Sequence, residues 1–240
     1  MNEIYNKKDF YNEILQDNSN FKVWKKLDNG CFIGTLGYSE ENIYYLENLL
    51  KSFSKEYGEV INYDVAKEEL ELYSKCGKLF VYLDNKLKPV SMNGIIYNHQ
   101  AKSIEFFKAD DEDVKSIYFY GLSTLEEYRG KGACSKLINF AIEYAYYNNF
   151  DVVYARCSLD NSKSEKIMLK NNMIPCCYDK NIICENVDVE GSITSRYHLY
   201  LPLKKGIGIM PKDEYQFATY DDKKLLNDFQ SKKYIKKSNN

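Results

Sequence analysis

Arg129-Gly130-Lys131-Gly132 is where residue type and spacing point most directly to chemistry. Two glycines one residue apart allow a tight backbone turn. Apolar residues at helical spacing follow at once, so the turn opens a helix. The first N–H groups of a helix have no intrahelical acceptor, and the macrodipole places partial positive charge there. Arg129 and Lys131 add full charges, so the expected ligand carries phosphate. Two familiar phosphate turns are excluded by the residues themselves. A dinucleotide fingerprint needs a third glycine where Ser135 stands. A P-loop needs a Gly-Lys-Ser or Gly-Lys-Thr ending, which is missing.

The segments on either side must position that turn. Upstream, Tyr120-Gly121-Leu122-Ser123-Thr124 reads as a strand end, and a glycine inside a strand predicts a bulge or a close backbone approach. Downstream, Leu137, Ile138, Ala141, Ile142 and Ala145 form the apolar stripe of a long helix, which is core packing. A strand over Asp151–Leu159 follows, then a helix from about Ser162 to Asn171 with Asn161 at its start.

The rest of the chain mixes strands and helices. Phe21–Leu27 and Cys31–Gly37 flank Asp28-Asn29-Gly30, a hairpin signal. Ser39 caps a helix over Glu40–Tyr57, with Ile43, Leu46, Leu49, Leu50 and Phe53 on one face and Gly58 as its stop. Asp64 caps a second helix over Val65–Cys76, closed by Gly77 in the same way. Lys78–Asp84 and Pro89–Asn98 are paired strands around Asn85-Lys86. Ser103–Ala109 is a short strand followed by the acidic turn Asp110–Asp113. Two late strands fall near Ile174–Glu185 and Thr194–Leu203. The pattern is an α+β, or mixed α/β, plan built on one central sheet. Residues Lys205–Asn240 read as a separate tail, helical over Lys223–Tyr234.

Composition narrows the function classes. The 240 residues carry a formal charge of −2, so no global basic field draws in nucleic acid. Hydrophobic residues make up 44%, as a folded globule requires. The first fifteen residues are polar, and no run reaches the roughly 18 apolar residues of a membrane helix. A soluble, cytoplasmic protein is expected. Seven cysteines without framework spacing read as reduced, mostly buried thiols. Cys176, Cys177 and Cys184 lie close together, but with no C-x-x-C pair no metal site is expected.

The order of elements around Arg129-Gly130-Lys131-Gly132-Ala133-Cys134 resembles the GNAT superfamily of N-acetyltransferases. The resemblance runs from about Leu79 to Leu203 and is sharpest over Leu122–Met173. Cys134 departs from the family pattern, which has glycine or alanine there. The resemblance implies a mostly antiparallel central sheet flanked by helices, within a domain over residues 1–204. It implies that backbone N–H groups from Gly130 through Ala133 and Cys134 to Ser135 hold the coenzyme A pyrophosphate, with Arg129 and Lys131 adding charge. It places the pantetheine arm along Leu122, Ser123 and Thr124 where the sheet splays, with the Leu122 N–H polarising the thioester carbonyl. Asn161 inherits a cofactor contact.

The implied reaction is acyl transfer from acetyl-CoA, or another acyl-CoA, to a primary amine of a small molecule or peptide. The amine attacks directly in a ternary complex, without metal, nucleic acid or membrane, on a monomer or homodimer. Two departures bear on catalysis. Met168 stands where many members carry the tyrosine that protonates the thiolate. Strand Val114–Thr124 contains no Asp or Glu to act as a base. The catalytic candidates are therefore Tyr118 and Tyr120, which strand alternation puts on one side, and His198, whose ordinary pKa suits base work. Cys157, Ser158 and Tyr197 are secondary candidates, with Cys157 read as a structural thiol. The alternative is a degenerate acyl-CoA-binding sensor or interaction module.

Overall fold

The computed structural model describes residues 16–17, 21–57, 60–97, 107–109, 115–158, 162–182, 194–203 and 209–211. Eleven strands and four helices alternate along them: β1 (Gln16–Asp17), β2 (Phe21–Lys26), β3 (Phe32–Leu36), α1 (Glu40–Tyr57), α2 (Tyr63–Cys76), β4 (Gly77–Leu83) and β5 (Pro89–Tyr97) come first. After them come β6 (Phe107–Ala109), β7 (Ser116–Thr124), α3 (Ala133–Tyr147), β8 (Val152–Ser158), α4 (Ser162–Lys170), β9 (Ile174–Ile182), β10 (Thr194–Pro202) and β11 (Ile209–Pro211).

Nine strands form one sheet in the order β1-β2-β3-β4-β5-β7-β8-β10-β9. Every neighbouring pair is antiparallel except β7 and β8, which run parallel around the crossover helix α3. A parallel pair needs such a crossover, whereas antiparallel neighbours such as β2 and β3 or β4 and β5 are joined by short turns. In the tail, Ile209–Pro211 pairs with Phe107–Ala109 as a separate two-stranded sheet. The helix expected over 223–234, the acidic turn 110–113 and Gly58 lie outside the described residues.

Helices cover both faces of the sheet. Leu46, Leu49, Ala66, Leu70 and Tyr73 of α1 and α2 pack with Leu79, Val81, Met92, Tyr118 and Tyr154. Leu137, Ile138, Ala141 and Ala145 of α3 pack with Phe80, Ile95, Ile117, Phe119, Val153 and Ala155. β4, buried on both faces, consequently reads as a continuous apolar run from Leu79 to Leu83, whereas β5, also buried, carries the polar Ser91 and Asn93 inside it.

Local signals decide most helix ends. Ser39 caps α1, its Oγ accepting the Asn42 N–H at 3.3 Å. At α2 the cap is Asn62, not Asp64: Asn62 Oδ1 accepts the Val65 N–H at 3.0 Å. Asp64 sits within the first turn instead, where its charge favours the helix dipole. Gly77 does not end α2 through a left-handed turn either; its φ is −174°. It is needed for space, since a Cβ there would lie 1.8 Å from the Ile95 carbonyl oxygen. Four described cysteines are free thiols, Cys157 buried and Cys31, Cys76 and Cys134 half-buried. No described helix is long and apolar enough to cross a membrane. Among the described residues no group of ligands could hold a metal ion.

Candidate functional site

The parallel pairing of β7 with β8 runs from Ser116↔Val152 to Phe119↔Ala155 and stops there. Beyond it, β7 stays with β5 as far as Ser91↔Thr124. The end of β8 stays with β10, pairing Ser158 with Arg196. Two strands held by different outer neighbours must part, so the sheet opens into a wedge between Tyr120–Thr124 and Arg156–Ser158. The ladder shifts at the same place: Gly94 pairs with Gly121 and Ile95 with Phe119, leaving Tyr120 as the extra residue. This is the bulge that Gly121 predicts.

A cleft of ≈ 510 Å³ adjoins β7 past the split. Leu122, Ser123 and Thr124 form its strand wall; Arg129, Gly130, Gly132, Ala133, Cys134 and Ser135 form the turn; Lys163, Lys166, Ile167 and Lys170 come from α4. Gly130 and Gly132 take φ of +76° and +80°, the left-handed region that favours glycine. Open space surrounds the point where a Cβ would stand at either glycine, so the turn needs them for backbone conformation. Gly132 is the N-cap of α3 and offers no side chain to its first N–H groups. Those groups therefore face the cleft with unspent donor capacity.

The charge on this wall has one sign. Lys163, Lys166 and Lys170 repeat along one face of α4, and no carboxylate is among the described residues lining the cleft. Arg129 is committed to structure. Its Nε donates to the Thr124 carbonyl at 3.1 Å, and Nη2 donates to the Ser52 carbonyl at 3.1 Å and to Ser52 Oγ at 3.3 Å. It thus ties the turn to the end of α1. The Lys131 ammonium lies 5.1 Å from the centre of the Tyr128 ring, a cation–π contact. Cys134 turns its Sγ inward to Thr124 Oγ1 at 2.9 Å, with Ser91 Oγ at 3.7 Å. That contact accounts for a cysteine at a position that needs a small residue.

On the other face of the sheet, tyrosines gather at the apex of the split. Tyr118 stacks on Tyr154 with centroids 4.9 Å apart and meets Tyr120 edge-on at 5.9 Å. Tyr120 in turn meets Tyr73 at 6.1 Å. Tyr118 and Tyr120 thus share one side, but Tyr118 is buried while Tyr120 is 39% exposed. Residue 198 pairs with Arg156 on β8 and Cys177 on β9. The side chains of His198, Tyr197 and Ser158, and Asn161 altogether, lie outside the described residues. Cys157 is core, and Met168, 4% exposed, packs against the core under α3.

Sequence reasoning missed Glu69 and Tyr73. Tyr73 reaches the split because its neighbours are glycines: a Cβ on Gly94 would lie 2.3 Å from its ring, and one on Gly121 would lie 2.8 Å from its hydroxyl. Glu69, one helical turn earlier, interacts with that hydroxyl. Burial foremost, then the Glu69 charge, holds the Tyr73 phenol well above its usual pKa and keeps it protonated. The signal lay in two glycines that pair across β5 and β7, which is invisible before the strand register is known.

A mixed sheet that parts at its parallel pair, with a helix N-terminus free of any side-chain cap at the mouth, has the architecture of an N-acetyltransferase. Solved structures share it. An N-acetyltransferase from Staphylococcus aureus Mu50 aligns with a TM-score of 0.52 at 16% identity, covering 72% of this chain and 97% of that one. A spermidine N-acetyltransferase from Vibrio cholerae aligns with a TM-score of 0.55 at 14% identity, covering 73% and 95%. A chain of the NatC complex bound to Gag peptide and CoA aligns with a TM-score of 0.51 at 17% identity, covering 77% and 99%. Such identities show the fold alone. The model of the acetyltransferase (GNAT) family matches residues 2–171, and the chain belongs to that family. A search of curated proteins gives no match.

Proposed function

We propose that this protein is an acyl-CoA-dependent N-acyltransferase that uses acetyl-CoA. The observation that carries this reading is the single-signed cleft: a helix N-terminus, two left-handed glycines and three lysines meet beside the parted strand. The pyrophosphate would lie on the backbone N–H groups from Gly130 to Ser135, with the α4 lysines facing the phosphates. The pantetheine arm would follow Leu122–Thr124, and the Leu122 N–H would polarise the thioester carbonyl. The donor supplies the activated acyl group. The protein's own contribution is to orient an unprotonated amine against it and to stabilise the developing oxyanion.

Isothermal titration of acetyl-CoA into the wild type and a Gly132→Val, Lys166→Glu variant tests the site. Binding by the wild type that is lost in a still-folded variant is expected, because a branched residue opposes a φ of +80°. A wild type that binds no acetyl-CoA at millimolar concentration overturns the reading.

Met168 motivates a second reading. Its buried thioether cannot donate a proton to a leaving thiolate, as a module that binds acyl-CoA without turning it over would not need to. Release of free thiol with any amine rules that module out.

A further inference from the structure

We propose that Phe53 is a cofactor-specificity residue, whose ring takes the branched, apolar pantoyl unit of the acyl-CoA at the seam between the strand wall and the glycine turn. The inference rests on the acyltransferase reading and deepens it by assigning a residue of α1 to the donor.

Phe53 leaves the pattern of its own helix. Ile43, Leu46, Leu49 and Leu50 on the same stripe of α1 are buried in the core, whereas Phe53 is half-buried and lines the cleft. α1 packs over the face of the sheet opposite α3, yet its end reaches the cleft. Hydrogen bonds hold it there. The buried Ser123 hydroxyl donates to the Leu49 carbonyl at 2.7 Å, one helical turn before Phe53. The Ser52 hydroxyl donates to the Thr124 carbonyl at 3.1 Å, and the Arg129 guanidinium donates to both oxygens of Ser52. The residue preceding Phe53 is thus tied to the end of the strand wall and to the start of the glycine turn. Phe53 stands where the two meet.

The covalent order of coenzyme A selects the contact. A ligand with its pyrophosphate on the turn and its amides along Leu122–Thr124 must cross from one to the other through the pantoyl unit, which joins the phosphate to the first amide. That unit carries a quaternary carbon with two methyl groups, the most apolar part of the arm. Phe53 and Tyr128 are the aromatic residues among the described lining of the cleft. Tyr128 is engaged with polar partners, its hydroxyl donating to Asp84 Oδ2 at 3.1 Å and its ring meeting the Lys131 ammonium. Phe53 has no polar atom to satisfy, so covering its ring with methyl groups removes apolar surface from water at no polar cost. A phosphate finds no hydrogen bond there. The contact therefore reads the arm and not the phosphates.

The test measures binding alone, on the full chain, by isothermal titration. The ligands are coenzyme A, its armless fragment adenosine 3′-phosphate 5′-diphosphate, and a coenzyme A analogue without the methyl pair. Phe53→Ala is expected to weaken coenzyme A about tenfold while changing the fragment and the analogue by less than about twofold. Phe53→Leu, which keeps an apolar side chain, should recover most of the loss. Should Phe53→Ala fail to fold, Phe53→Gln repeats the comparison with the same expected pattern. An unchanged affinity for coenzyme A overturns the proposal. So does a loss shared equally by coenzyme A and the fragment, which would make Phe53 a support for the turn, or one shared equally by coenzyme A and the analogue. In each of those cases wild-type binding of coenzyme A leaves the acyltransferase reading standing. A wild type that binds no coenzyme A overturns both.

Discussion

Phe119 and Ala155 are the last residues paired across β7 and β8, and everything that gives this protein a candidate site follows from their being the last. Each strand continues, but with its other neighbour: β7 with β5, and β8 with β10. Backbone groups that would have closed a ladder face the opening instead. Such groups need partners when water is excluded, and a ligand with amide groups would provide them.

The glycines that admit Tyr73 should be intolerant of any side chain. Gly94→Ala places a methyl 2.3 Å from the Tyr73 ring, which must move. Overpacking of this kind costs about 1–3 kcal/mol. Urea unfolding should show a lower midpoint with an unchanged slope, and adding Tyr73→Leu should recover part of the loss. Equal stability of Gly94→Ala and the wild type would mean that Tyr73 does not occupy this place.

Arg129 should matter to folding as much as to any ligand. Its guanidinium joins the Thr124 carbonyl to both oxygens of Ser52. Hydrogen bonds from a charged donor contribute about 1.5–3 kcal/mol. Arg129→Ala should lower the melting temperature without added ligand. Arg129→Lys should restore little of it, because an ammonium cannot span the same fork of acceptors. A normal melting temperature for Arg129→Ala would return this residue to a purely ligand-directed role.

The α4 lysines should act through screened charge. Changing Lys163, Lys166 and Lys170 together to Gln is expected to weaken acetyl-CoA binding about tenfold at low salt, taking roughly 0.5 kcal/mol for each exposed cation. The same variant should lose most of the salt dependence of binding. An affinity that keeps its full salt dependence would show that the phosphates lie elsewhere.

Asp84 gives a pH-dependent prediction. Burial pushes its carboxyl up, but the N–H groups of Lys88 and Lys86 and the Tyr128 hydroxyl outweigh that and hold it below its ordinary value. A depressed carboxyl stabilises the fold above the unfolded pKa of about 4, and the contribution fades as pH falls through the lower folded value. The melting temperature of the wild type should therefore drop more steeply from pH 5 to pH 2 than that of Asp84→Asn. Parallel pH profiles would remove Asp84 from the set of stabilising carboxylates.

Most of the elements and the turn before α3 are written locally in the chain. Helical spacing in α1 and α3, the Ser39 cap and the Asp28-Asn29-Gly30 hairpin are local, so the residues that encode them are neighbours in the chain. The two glycines of the turn before α3 are legible for the same reason, since their left-handed backbone requires nothing distant. Features that join residues far apart in the chain depend on the assembled fold. It paired Phe107–Ala109 with Ile209–Pro211, committed Arg129 to Ser52, and parted β7 from β8 after four rungs. It also brought Glu69 and Tyr73 to the split, by way of a cross-strand pair of glycines that no periodicity marks. Strand alternation states which face a side chain takes; which strand lies beside it, and where two strands separate, depends on how the helices pack over the sheet.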